Sequence, residues 1–135
     1  MNKPVSARAT AADAISAAAR TIAETLQVPA IVCYTGTGST GLRIARERPN
    51  MPVLALTPIP ATARRLCLAW GTHCVLTEDA PSIDIMFEKA GEIATREGFT
   101  KPGDRILITA GVPIGTPGTT NMVRIATIGK DGKGI

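Results

Sequence analysis

The chain has 135 residues and a mass of 14.0 kDa, the size of one domain. Hydrophobic residues make up 44% of it but aromatics only 3%, so the core is aliphatic and the stacking platforms that grip single-stranded nucleic acid are excluded. The formal charge of +4 sits at the ends: Lys3 and Arg8 carry two charges and Lys130, Asp131 and Lys133 a net one, so 10–128 keeps only +1 and offers no basic face.

Cys33, Cys67 and Cys74 form no CxxC pair and no metal-spaced set. Each lies in an apolar run, so all three are expected to be buried structural thiols in a reducing compartment. No apolar stretch approaches the roughly 20 residues of a membrane span, and Met1 to Ser6 lacks the apolar core of a signal peptide. The expected location is cytoplasmic.

In chain order, Ile15, Ala19, Ile22 and Leu26 recur at helical spacing behind a Thr10–Asp13 capping box, and this helix ends before Pro29. Ile31 to Tyr34 is a β-branched run too continuous to be half-exposed, hence a buried strand. Ser39 to Arg48 reads as a helix stopped by Pro49, and Val53 to Leu56 as a second buried strand. Pro60 opens a helix with Ala63, Leu66, Cys67 and Trp70 on one face, closed by Gly71. Cys74 to Leu76 is the third strand, and Ile83, Phe87, Ala90 and Ala94 line a helix stopped at Gly98. Ile106 to Ile108 and Met122 to Ile128 complete five strands.

This alternation predicts an α/β fold, an open three-layer sandwich with a mostly parallel sheet. The connection Gly111 to Asn121 is too short and too rich in Gly, Pro and Thr for a crossover helix, so the last strand is expected to be antiparallel, at a sheet edge. The domain is read as 10–128, with flexible ends at 1–9 and 129–135. An edge of this kind invites pairing with a second copy, unless the tail Gly129 to Ile135 covers it.

The first strand–helix loop, Thr35-Gly36-Thr37-Gly38-Ser39-Thr40-Gly41, formally matches G-x-G-x-x-G. A dinucleotide site also needs a carboxylate at the end of the second strand, and no Asp or Glu stands between Glu47 and Glu78. What remains is a helix N-terminus with hydroxyls on Thr35, Thr37, Ser39 and Thr40, a cradle for a phosphate. A plain helix cap by Ser39 is the other reading of the same residues. His73 reads as a structural or surface residue, and Glu78, Asp79 and Asp84 suit the helix start they flank. No Ser-His-Asp set, Walker lysine or metal box is present, so no catalytic residue is assigned.

The sequence resembles the C-terminal domain of pyruvate kinase. Ala110 to Ile125 (AGVPIGTPGTTNMVRI) is similar to that family's closing loop and last strand. Arg48-Pro49-Asn50 with Leu54 to Pro58, and Thr62 to Leu66 with Trp70-Gly71, resemble its second strand and following helix. The resemblance runs from about Thr10 to Ile128.

It implies a regulatory α/β domain without the catalytic barrel that, in the family, transfers phosphate from phosphoenolpyruvate to ADP in glycolysis. The Mg²⁺ and K⁺ sites lie in that barrel, so no cofactor and no turnover are expected of this chain alone. It also implies that Thr35, Thr37, Gly38, Ser39 and Thr40 hold the phosphate of an allosteric effector, and that such domains meet pairwise in a homo-oligomer. Relatives that bind fructose 1,6-bisphosphate tend to carry a lysine where Gly36 stands, an arginine near Met86 and a cation in the closing loop, where this chain has Val112-Pro113-Ile114. A sugar monophosphate or AMP is therefore the expected partner, with no nucleic acid and no membrane. A free-standing interaction module with an empty phosphate site is the alternative.

Overall fold

The computed structural model describes residues 11–78, 80–111 and 122–135. The expected ends at 1–9, the Thr10 half of the first capping box, Asp79 and Val112 to Asn121 lie outside them. The elements run α1 (Ala11–Leu26), β1 (Ile31–Tyr34), α2 (Ser39–Arg46), β2 (Val53–Thr57), α3 (Pro60–Leu66), β3 (Thr72–Leu76), α4 (Ile83–Arg96), β4 (Arg105–Ala110) and β5 (Met122–Thr127).

The five strands lie in the order β3-β2-β1-β4-β5. β1 pairs in parallel with β2 and β4, and β2 with β3. The β4–β5 pair is antiparallel, Arg105 facing Thr127 and Ala110 facing Met122. The expected mixed sheet is therefore present, with β5 at an edge. β1, β2 and β4 are buried on both faces, which is why they read as unbroken apolar runs.

Alternate strand residues feed two cores. Ile31, Cys33, Val53, Ala55 and Leu107 pack beneath Ala19 and Ala23 of α1, Ile44 of α2 and Leu66 of α3. Val32, Leu54, Leu56, Ile106 and Ile108 pack against Phe87, Ala90, Ile93 and Ala94 of α4. The result is three layers, with α1–α3 on one face and α4 on the other. The chain steps from β1 to β2 to β3 in one direction, then returns to place β4 on the far side of β1. The strand order reverses at β1, whose carboxyl end carries the loop Thr35 to Thr40, and such a switch point is the usual place for a ligand in an open α/β sheet.

Some expected boundaries shift. α2 stops at Arg46, because Glu47 is its C-cap and Arg48 turns left-handed at φ 49°. α3 ends at Leu66 with Cys67 as C-cap, so Trp70 is not on the helix. It stands 52% exposed in the turn, with the Arg48 guanidinium 5.5 Å from its ring centroid. Gly71, at φ 63°, then allows the sharp entry into β3.

The C-terminal tail is a larger correction. Expected to be flexible, 129–135 folds back on the sheet. Thr127 and Ile135 exchange both backbone hydrogen bonds, at 3.0 and 2.9 Å, and the Gly129 N–H donates to Lys133 O at 2.8 Å. Gly134 lies so close to α4 that a Cβ on Gly91 would stand 2.1 Å from its nitrogen. Two glycines facing each other give a backbone-to-backbone contact that a polar, Gly-rich composition does not announce.

Candidate functional site

Thr35 extends β1 by one residue, its N–H donating to Leu56 O at 3.0 Å. Its hydroxyl, 5% exposed, accepts the Gly38 N–H at 2.9 Å and folds the loop into a tight turn. Gly38 follows at φ 102° as the N-cap of α2. Only glycine adopts that backbone without strain, and a Cβ there would also press on the Arg65 guanidinium.

The plain-cap reading of Ser39 fails here. Ser39 is the first helical residue, and no side chain caps α2. Its hydroxyl instead lies 3.1 Å from that of Thr37, so two hydroxyls sit together at the helix start. Thr37 is exposed, Ser39 half-buried and Thr40 buried. The five residues singled out from sequence, Thr35, Thr37, Gly38, Ser39 and Thr40, thus share one turn, with divided duties. Thr35 shapes the turn and engages the Gly38 amide, while Thr37 and Ser39 present polar groups outward.

α3 supplies the other wall. The Thr62 hydroxyl donates to Gly36 O at 2.8 Å, and Arg65 Nη2 donates to Thr37 O. Thr62 is 3% exposed and Arg65 exposed. Gly41 permits this approach, since a Cβ there would meet Leu66 Cδ1 at 3.1 Å. Arg65 is the residue beside this loop that sequence reasoning missed. It lies 28 positions from Thr37, and the available signal was its place three residues after Thr62 on the same helix face. The loop therefore has a cation beside it.

Met86, where the resemblance looks for an arginine, is 1% exposed and packs with Ala80 and Ala110. Its carbonyl accepts the Tyr34 hydroxyl at 3.1 Å, and burial pushes the Tyr34 phenol well above its usual range. Position 86 therefore supplies no cation.

His73 is tied down elsewhere, its Nε2 2.9 Å from Glu97 Oε1 and its ring edge-on to Phe99. The hydrogen bond from His73 holds the Glu97 carboxyl below its ordinary range, helped by Arg96. The cysteines depart from expectation: Cys33 is buried, but Cys74 is only half-buried and Cys67 is exposed. Among the described residues no group of His, Cys, Asp and Glu is placed to hold a metal ion. None of the described helices is long and apolar enough to cross a membrane.

The family model for the pyruvate kinase alpha/beta domain matches residues 13–126. A pyruvate kinase of Methylorubrum extorquens is 53% identical over 122 residues, which is 90% of this chain and 26% of that protein. Those of Geobacillus stearothermophilus and Lactococcus lactis are 40% and 38% identical, over 88% and 90% of this chain but 20% and 24% of their own lengths. The chain thus spans about a quarter or less of the curated relatives it matches. With the five-stranded sheet and its layers, these matches place the chain in the pyruvate kinase α/β-domain family.

Proposed function

We propose that this chain is a regulatory and oligomerisation domain of the pyruvate kinase type that binds a phosphorylated metabolite at the loop Thr35 to Thr40. The observation that carries the reading is position: this loop leaves β1 at the reversal of strand order, with the Thr37 and Ser39 hydroxyls and the Arg65 guanidinium gathered at the start of α2. Charge-assisted hydrogen bonds to a phosphate contribute about 1.5–3 kcal/mol each. A few of these, less the cost of association, give micromolar to millimolar binding.

Arg65 serves one phosphate. Gly36 has no side chain to serve a second and Met86 is packed inside, so monophosphates such as a sugar phosphate or AMP fit better than fructose 1,6-bisphosphate. Phosphoryl transfer, with its Mg²⁺ and K⁺, is assigned to the part of the relatives that this chain does not span. Thermal-shift titration with glucose 6-phosphate, ribose 5-phosphate, AMP and fructose 1,6-bisphosphate tests the reading. A ligand bound only to the folded form at 100 times its Kd stabilises by about 2.7 kcal/mol. Melting unmoved by all four would refute the site, and a tenfold preference for the bisphosphate would refute the monophosphate assignment.

A further inference from the structure

The tail 129–135 is the second arm of a hairpin on the outer edge of β5. Thr127 and Gly129 bond to Ile135 and Lys133, and Ile128 stands opposite Gly134. The Gly132 N–H donates to Gly129 O at 3.0 Å and the Lys133 N–H to Asp131 Oδ1 at 3.0 Å, which closes the turn between the arms. The arm is also seated on α4. The Thr95 hydroxyl donates to Gly132 O at 3.1 Å, and a Cβ on Gly134 would overlap Phe87 O. What the arm covers is one of the outward-facing residues of β5. Thr127 is bonded to it, and by alternation Ile125 and Val123 face the same way.

Val123, Ile125 and Thr127 are self-complementary. Laid antiparallel against a second copy about a two-fold axis at Ile125, the edge sets Thr127 opposite Val123 of that copy and Ile125 opposite Ile125, each pair exchanging both backbone bonds. Arg124, whose guanidinium lies 4.2 Å from the Phe87 ring centroid, then faces Ala126 of the second copy. With the arm seated, Thr127 is taken. Val123 and Ile125 are left to pair reciprocally about Arg124, which sets two arginines directly opposite each other, a destabilising placement. We propose that the arm Lys133 to Ile135 is a strap, a detachable edge strand that keeps β5 out of its best register with a second copy of this chain. Its hold is light: Ile135 is 69% exposed, and the seat on α4 is made by glycines. Ile128, 2% exposed and bonded to Gly103 and Asp104, stays in the core when the arm leaves, so Gly129 is the hinge. The inference rests on the reading of this chain as an oligomerisation domain and adds what limits the contact.

Gly134→Val and Gly132→Pro lift the arm by independent routes, the first by collision with Phe87 O and the second because proline cannot adopt the φ of 83° found at Gly132. Lys130→Ala, at an exposed turn residue, is the control. The full chain and these variants are compared by sedimentation equilibrium and by amide exchange at Thr127 over a range of concentrations, with slow exchange at Leu107 reporting an intact sheet. Both lifted variants are expected to associate about tenfold or more tightly than the wild type and the control. In the wild type its own arm protects Thr127 at every concentration. In the lifted variants that amide exchanges fast when dilute and becomes protected as copies pair, which pairing about Arg124 would not bring about. A monomeric wild type beside associating variants would refute the oligomerisation reading of the native chain and keep the strap. A wild type that pairs as tightly as the lifted variants would overturn the strap and leave that reading standing. Thr127 protected in both dilute variants, or exposed in them at every concentration, would overturn the strap as well.

Discussion

Thr62 has no reactive chemistry, yet its buried hydroxyl fixes the loop by donating to Gly36 O at 2.8 Å. Thr62→Val keeps the shape and leaves that carbonyl without its donor, at a cost of about 1 kcal/mol. Denaturant unfolding is expected to show that loss, together with weaker phosphate binding as the Thr37 end of the loop loosens. Glu97 governs a different response. Its folded carboxyl sits below the unfolded value of about 4.3 because His73 and Arg96 favour the charged form. The stabilisation is therefore complete above that unfolded value and is lost as pH falls through the lower folded one. Glu97→Gln is expected to remove this part of the acid dependence and leave the rest of the curve intact; an unchanged acid limb would contradict the assignment. At this scale the sequence revealed the hydroxyls but not their partners. Thr37 and Ser39 are two positions apart and legible as a pair, whereas Arg65 reaches the loop only because Gly41 lets α2 settle against Leu66.

Among the elements, the buried strands were the easiest to read, since β1 and β2 are covered on both faces and tolerate no polar interruption before Tyr34 and Thr57. Helix ends were harder. Both α2 and α3 stop earlier than their apolar patterns suggest, because Arg48 and Trp70 pack on each other outside the helices. The tail 129–135 was hidden for another reason: its partner is backbone. Gly91 and Gly134 meet where a single Cβ would fall 2.1 Å from a main-chain nitrogen. Gly91→Ala raises intrinsic helix propensity by about 1 kcal/mol, and in an isolated helix it would stabilise. Here overpacking, typically about 1–3 kcal/mol, is expected to win and lift the tail from α4. Hydrogen exchange at Ile135, whose N–H donates to Thr127 O, reads this directly. Retained protection in Gly91→Ala would show that the contact can relax.

At the scale of the whole molecule, the folded tail occupies only one end of the outer edge. Thr127 points its backbone groups outward to Ile135 while Ile128 bonds inward to Asp104, so by alternation Ile125 and Val123 point outward as well. Ile125 is 44% exposed and lies on this edge. Association of two copies through β5 is expected, and Ile125→Pro should abolish it by removing one outward N–H without breaking the β4 ladder. Sedimentation at high concentration decides this, and a strict monomer in both proteins would contradict it. The central claim, however, is the phosphate site at the strand-order reversal. Its most direct test is calorimetric titration of glucose 6-phosphate and AMP into the wild type and into the Ser39→Ala, Thr40→Ala double variant. The account predicts binding to the wild type that weakens by about 1–3 kcal/mol, roughly 5- to 150-fold, in a variant that remains folded. Equal affinity in both proteins, or no heat from either, would contradict it.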